Sequence, residues 1–301
     1  MTSVAGFLSR SAENLAQLEL DSDCVLFHGD PIDTRGELAV SFDKLDIERI
    51  RTVYDVEKMT LYLNDHEIGA DQCAEFFSKY SKLSTVILEA TTLGFAELFS
   101  AIRALISCGC QRLEIIYVEP ANYSRETASA EQFALSDLIT GYHPIPHSVV
   151  DLTADDLEAG VFFLGFESER LDRAVNEYQM IVSKEIKVVF GIPAFQPGWE
   201  LNSIVPHIPL LSERRFDIAY CAANDPEAAY ECLESTRSSL SHGKRMFVAP
   251  IGTKPCGIAS AVFASLYPDQ VGLLFDHPKK RSKRSKGSSV WHRYSVIISD
   301  S

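Results

Sequence analysis

Residues 245–275 read RMFVAPIGTKPCGIASAVFASLYPDQVGLLF, and this stretch decides the fold class. Arg245–Ala249 and Val271–Phe275 are short apolar runs of the kind that form buried strands. Between them, Pro255–Leu266 is long enough and apolar enough for a helix. Parallel strands need a crossover of this length, so the stretch predicts a βαβ unit. The loop Pro250–Lys254 then leaves the first strand at its carboxyl end.

The same alternation continues through the rest of the chain. In the second half, the pattern predicts strands and helices at these positions: strands Val161–Gly165, Lys187–Gly191, Asp217–Cys221 and Tyr294–Ile298, and helices Glu169–Gln179, part of Gly198–Leu211 and Pro226–Ser239, with Asp225 as N-cap. In the first half, it predicts these: strands Cys24–His28, Leu38–Phe42, Met59–Leu63, Thr85–Glu89 and Leu113–Val118, and helices Ala70–Tyr80 and Gly94–Ser107. We therefore expect an α/β protein with a Rossmann-like, largely parallel sheet covered by helices, and a second α/β layer or half at the N-terminus. The proline-rich stretch 120–150 suggests a boundary between domains 1–150 and 151–301, the second carrying a basic loop at 279–286.

Composition excludes several classes of protein. The chain has 301 residues, of which 46% are apolar and 23% charged, as in ordinary globular proteins. No apolar run reaches the ~18 residues of a membrane span, and the N-terminus lacks a secretory pattern, so we expect a cytoplasmic protein with no membrane contact. The seven cysteines are scattered without the spacing of a metal site, which predicts reduced thiols and no bound metal.

Charge is unevenly distributed. The formal net charge is −14, which disfavours general binding to nucleic-acid backbone. One acid-free segment, residues 279–286, holds six of the basic residues. It is either a solvated, mobile loop or a local contact for phosphate or a nucleic-acid strand. The cations of that candidate contact are Lys279, Lys280, Arg281, Lys283 and Arg284.

The carboxyl ends of the predicted strands carry small, polar and aromatic residues. Ligands of parallel α/β sheets bind at that edge, where helix N-termini supply N–H groups that suit phosphates. Thr91, Thr92 and Asn224 stand at such ends and are candidate ligand-binding residues, although the same residue types also serve as helix caps. G-x-G-x-x-G, the P-loop and G-x-S-x-G are all absent, which disfavours NAD(P) binding, ATP hydrolysis and a hydrolase triad. The polar strand ends taken together still predict a nucleotide ligand, but its identity, and any cofactor, stay unknown.

Two segments carry a family resemblance. Met246–Pro255, with its G-T-K-P loop, resembles the closing βαβ unit of CRISPR-associated Rossmann-fold (CARF) sensor domains, and Phe163–Arg170 resembles that family's other signature. The likeness covers roughly residues 155–278. It implies a homodimer that binds a cyclic oligonucleotide and acts on a partner effector in prokaryotic antiviral defence, although no effector domain is recognisable here. By this resemblance the pocket would be lined by Ser168, Glu169, Arg170, Gly252, Thr253 and Lys254.

Three functions stay open. The first is a nucleotide sensor or adaptor, in which ligand binding shifts the population of two arrangements. The second is an enzyme, a nuclease or nucleotide hydrolase, working at the same edge. Its catalytic residues are unknown, with Asp276 and His277 as weak candidates because they follow a strand. The third is a structural subunit of a protein complex.

Overall fold

The computed structural model describes residues 2–20, 23–41, 47–69, 72–82, 85–124, 133, 135–177 and 184–300. The chain divides into two compact units. Unit 1 comprises Met1–Ser124 and Arg281–Ser301, and unit 2 comprises Arg125–Lys280. This division differs from the single cut at residue 150, because residues 135–150 belong to unit 2 and the last strand returns to unit 1.

The described residues contain strands and helices in alternation. The strands are β1 Thr2–Ala12, β2 Cys24–His28, β3 Glu48–Asp55, β4 Thr60–Leu63, β5 His66–Ile68, β6 Thr85–Glu89, β7 Arg112–Tyr123, β8 Ser136–Ile139, β9 Leu157–Leu164, β10 Glu185–Gly191, β11 Asp217–Cys221, β12 Arg245–Pro250, β13 Val271–Leu273, β14 Pro278–Lys280 and β15 Ser285–Asp300. The α-helices are α1 Thr34–Ser41, α2 Cys73–Ser81, α3 Phe95–Ser107, α4 Ser168–Glu177, α5 Trp199–Ile204, α6 Ile208–Glu213, α7 Pro226–Ser239 and α8 Lys254–Leu266. Short 3₁₀ helices lie at Leu15–Leu18 and Val205–His207.

Unit 2 is built on a five-stranded sheet of order β11-β10-β9-β12-β13, and every neighbouring pair in it is parallel. Numbered within the unit, this order is 3-2-1-4-5, that of a Rossmann-like half. The strands are nearly continuous apolar runs because helices cover both faces. Phe162 and Phe247 meet edge to face in the core, with ring centroids 5.6 Å apart. The direction of chain progression reverses between β9 and β12, which makes their carboxyl ends the expected ligand crevice.

Unit 1 contains an eight-stranded mixed sheet of order β1-β15-β7-β6-β2-β3-β4-β5. Its middle strands, β7, β6, β2 and β3, are mutually parallel. The flanking strands are antiparallel, with β1 and β15 beyond β7 and with β4 and β5 beyond β3. The predicted α/β class, with a second α/β half at the N-terminus, is therefore confirmed.

One predicted strand is wrong. Leu38–Phe42 was expected to be extended, but α1 runs to Ser41, and Phe42 lies outside the described residues. The segment is helical because the carboxylate of Asp33 accepts the N–H of Gly36 at 2.9 Å and so caps the first turn of α1. The helix supplies the crossover that the parallel pair β2–β3 requires.

The other predicted elements differ from the structure mainly at their ends. The last strand is longer than expected, since β15 extends over Ser285–Asp300 instead of Tyr294–Ile298. Asp225 caps α7 as predicted, accepting the N–H groups of Glu227 and Ala228. Ala70 and Gln179, predicted helix ends, lie outside the described residues.

Candidate functional site

The crevice of unit 2 lies where the loops after β9 and β12 meet. Their backbones approach closely because both loops have glycine at the point of contact. A Cβ on Gly252 would lie 3.0 Å from the carbonyl oxygen of Leu164, and one on Gly165 would lie 3.3 Å from that of Ile251. These distances are at or below the tight end of ordinary contacts, so glycine at both positions lets the two loops pack backbone to backbone at the switch point. Rossmann-like folds use such glycines to let a phosphate approach the main chain.

Helix α8 begins directly beyond this contact. Thr253 occupies its N-cap position, but its hydroxyl makes no capping bond. It donates instead to the carbonyl oxygen of Ala223 at 2.8 Å, which ties the turn after β11 to the turn after β12. The first turn of α8, with Lys254 as its first residue, therefore starts without a side-chain cap. Such a helix start attracts anions.

Two thiols lie under the same turn. The Sγ atoms of Cys221 and Cys256 are 4.0 Å apart, and both residues are buried. A hydrogen bond from the Cys221 thiol lowers the pKa of Cys256 against the effect of burial. The partner thiol, Cys221, has its pKa raised by that same bond and by burial.

An aromatic wall stands beside the crevice. The ring of Phe166 meets Trp199 edge-on, with centroids 6.1 Å apart, and contacts Phe133 at 5.2 Å. The hydroxyl of Ser203 donates to the carbonyl of Gly165 at 3.1 Å, which fixes α5 against the loop after β9. Phe166 and Trp199 are half-buried, so both retain surface at the rim.

Arg170 is a buried residue that holds the loop after β12 in place. Its guanidinium donates to both carboxylate oxygens of Asp276 and, through Nη1, to the carbonyl of Ile251 at 3.0 Å. Side-chain exposure is 8% for Arg170 and 0% for Asp276. Arg170 therefore positions the loop that carries Gly252, and Asp276 is the counter-charge that holds Arg170.

The remaining predicted residues of unit 2 have varied positions. His277 is buried with φ at +44°, and its Nε2 donates to the carbonyl of His143 at 3.0 Å. Ser168 begins α4 and is half-buried, whereas Glu169 and Asn224 are exposed. The Asp276 carboxylate is thus paired with Arg170, and Nε2 of His277 is engaged by a backbone carbonyl.

Thr91 and Thr92 belong to unit 1 and are hydrogen-bonded inside it. The Thr91 hydroxyl accepts the N–H of Val118 at 3.0 Å, and that of Thr92 accepts the N–H of Gly29 at 2.9 Å. The buried carboxylate of Glu89 accepts both of their backbone N–H groups. Each threonine is only 5% exposed, so these hydroxyls act within the protein.

The basic segment is not one loop, which corrects the expectation for 279–286. Lys279 and Lys280 lie in β14, which pairs with β8 in unit 2. Arg281, Lys283 and Arg284 belong to unit 1, and β15 begins at Ser285. The carbonyl of Lys283 accepts the Ser124 hydroxyl at 2.8 Å, so this turn is fixed through its backbone. The side chains of Lys279 and Lys283 are exposed.

Sequence reasoning named Gly252, Thr253 and Lys254 but missed Gly165 and Phe166 as parts of the crevice. The signal was present, since a glycine directly follows the strand that begins the parallel unit. Among the described residues, no group of His, Cys, Asp or Glu has the arrangement of a metal site. None of the described helices is long and apolar enough to cross a membrane.

Comparison with known proteins adds little. No protein family and no curated protein matches this sequence. One solved structure with some similarity is a ketoreductase domain from the bacillaene assembly line, at 11% identity and a TM-score of 0.20. The match covers 81% of this chain and 62% of that chain. The Rossmann-like assignment therefore stands on the strand order of unit 2.

Proposed function

We propose that unit 2 binds a nucleotide, in the form of a mononucleotide or a cyclic oligonucleotide, in the crevice between β9 and β12. One observation carries this proposal: the loops of Gly165 and Gly252 pack backbone to backbone at the switch point of a 3-2-1-4-5 sheet. Ligands of open parallel sheets bind at this point, in the crevice outside the carboxyl ends of the two strands.

The chemistry of the surroundings supports a phosphate and a base. The uncapped start of α8 offers N–H groups, and Lys254 adds a positive charge in the first turn. Phe166 and Trp199 offer aromatic surface at the rim, on which a base can stack. An anionic ligand in an acidic protein needs such local features, since the net charge of −14 repels it at long range.

The role we infer is that of a sensor. Ligand binding would favour one arrangement of the protein and so bias a partner, an effector protein or a second copy. The exposed aromatic and aliphatic side chains of Tyr220 and Ile218, on the edge strand β11, support pairing with a second copy. The enzymatic alternative has less support, because the Asp276 carboxylate is paired with the Arg170 guanidinium and Nε2 of His277 donates to a backbone carbonyl.

Thermal unfolding of the full chain with a panel of mononucleotides, dinucleotides and cyclic oligonucleotides tests this proposal. A ligand at about 100 times its Kd stabilises by about 2.7 kcal/mol. For a unit of this size that free energy raises Tm by about 5–11 °C. Lys254→Ala should abolish the shift while leaving the Tm of the free protein unchanged.

Lys244→Ala is the matched control, because Lys244 precedes β12 and so lies at the opposite edge of the same sheet. This variant should keep the full ligand-induced shift. The proposal fails if no nucleotide raises Tm, or if the two lysine variants respond alike.

A further inference from the structure

Unit 1 contains a hydrogen-bonded chain of three side chains that the nucleotide proposal does not use. The hydroxyl of Ser11 on β1 lies 3.0 Å from Nδ1 of His292 on β15. Nε2 of the same ring lies 2.7 Å from Oε1 of Glu119 on β7. The strands are neighbours, and Ser11 and His292 are directly opposite each other in the register. A nucleophile, a base and a group that orients the base thus stand in line.

The direction of these hydrogen bonds follows from the groups themselves. A carboxylate can only accept, so Nε2 of His292 carries the hydrogen that is donated to Glu119. In the neutral ring, Nδ1 then holds a lone pair and accepts the hydrogen of the Ser11 hydroxyl. The serine therefore donates to a general base that is ready to take its proton.

The imidazole is held firmly in this position. It stacks on Tyr294 with ring centroids 5.4 Å apart and an interplanar angle of 6°, and it is nearly parallel to Tyr117 at 6.3 Å. The side chains of His292 and Glu119 are 4% and 2% exposed. The Tyr294 ring also stabilises the imidazolium that forms when the histidine takes a proton.

The serine, by contrast, is open to solvent. Ser11 is exposed, and among the described residues β1 has a neighbouring strand on one side only. Alternate N–H groups along an edge strand point away from its neighbour and are donors for a negative oxygen. A reactive carbonyl or phosphoryl group can therefore reach Ser11 and find backbone donors beside it.

We propose that Ser11 is the nucleophile of a second site, one that transfers acyl groups from small activated esters, with His292 as general base and Glu119 as the positioning residue. The Ser11 oxygen attacks the carbonyl carbon while its proton passes to Nδ1 of His292. The bond to the leaving alcohol then breaks, and the alcohol takes that proton. Water hydrolyses the acyl-serine by the same route, which restores the hydroxyl.

The probe for this site is diisopropyl fluorophosphate, applied to the full-length chain and followed by intact mass and peptide mapping. The Ser11 oxygen forms a bond to phosphorus, fluoride leaves, and His292 takes the proton. A general base contributes roughly 10²–10⁴ in rate. We therefore expect Ser11 to be labelled at least about 100-fold faster than Ser9, an exposed serine two residues away on the same strand.

Four variants complete the test. Ser11→Ala should remove the adduct and Ser9→Ala should leave it unchanged, and both should retain the wild-type Tm because these side chains are exposed. Glu119→Gln should slow labelling, and Glu119→Asp should restore part of the rate, which a purely structural role would not produce. The proposal is overturned if the folded wild-type protein gives no adduct at Ser11, or if Ser9 and Ser11 are labelled at equal rates.

Discussion

The buried ion pair between Arg170 and Asp276 leads to the most specific prediction, which concerns the stability of unit 2. Asp276→Ala removes one partner of a pair in which Arg170 and Asp276 are 8% and 0% exposed. The guanidinium would then be left buried with only the carboxylate of Glu167, 3.9 Å away, as counter-charge. Breaking such a pair costs about 3–5 kcal/mol. For a unit the size of unit 2 this cost lowers Tm by about 6–20 °C.

Differential scanning calorimetry of the full chain measures the effect, with Asp217→Ala as the matched control. Asp217 also pairs with a cation of unit 2, Lys187, but its side chain is 69% exposed. Exposed pairs contribute about 0–1 kcal/mol, so this variant should lower Tm by no more than about 4 °C.

A double variant separates lost charge pairing from lost packing. Arg170→Met combined with Asp276→Leu removes both charges and should recover most of the stability lost by Asp276→Ala. If Asp276→Ala lowers Tm no more than Asp217→Ala does, the structural role assigned to Asp276 is wrong. Its carboxylate is then again a candidate for a functional role.

Other predictions concern the crevice, acid stability and the sheet edge. Gly252→Ala should cost about 1–3 kcal/mol and abolish nucleotide binding, because its Cβ would meet backbone atoms. Gly6 has open space around it, so Gly6→Ala should change neither the stability measured by calorimetry nor nucleotide binding. Burial raises the pKa of Asp33. The positive charge of Arg35 and hydrogen bonds from Ser285 and the Gly36 N–H outweigh that effect and hold the pKa below its ordinary value. Its carboxylate therefore stabilises unit 1 above the unfolded-state pKa of about 3.9, and that contribution is lost as pH falls through the lower folded value. The Tm of unit 1 should accordingly fall more steeply in acid for the wild type than for Asp33→Asn, and equal slopes would contradict this. Tyr220→Lys should convert a dimer to a monomer in sedimentation analysis if copies pair through β11, and an unchanged mass would exclude that edge.

The fold of unit 2 could be predicted because its inner strands, β9, β10 and β12, are largely buried on both faces. Runs such as Val161–Gly165 and Arg245–Ala249 are then continuously apolar and stand out from the helices. The long strand β15 was recognised only at Tyr294–Ile298, since its first residues are polar and basic. Leu38–Phe42 was mistaken for a strand because five residues fit either period, and a cap at Asp33 decided the outcome.

The candidate site was only partly predictable for a related reason. The Gly252–Lys254 loop follows directly from a strand, a glycine and a helix start, all local features. The role of Arg170 depends on Asp276, which lies 106 residues further along the chain. The array of Ser11, Glu119 and His292 joins two strands from opposite ends of the sequence with β7, which lies between them in the chain. Such pairings are set by the register of the sheet, and no local pattern reveals them.

The central claim is that a phosphate binds between the loops after β9 and β12. The most direct test is a crystal structure of the protein with the nucleotide that stabilises it best. We predict a ligand phosphate against the backbone of Gly165 and Gly252, with the amine of Lys254 within hydrogen-bonding distance. A nucleotide bound in unit 1, or one that contacts unit 2 only at the amino ends of its strands, would contradict the account.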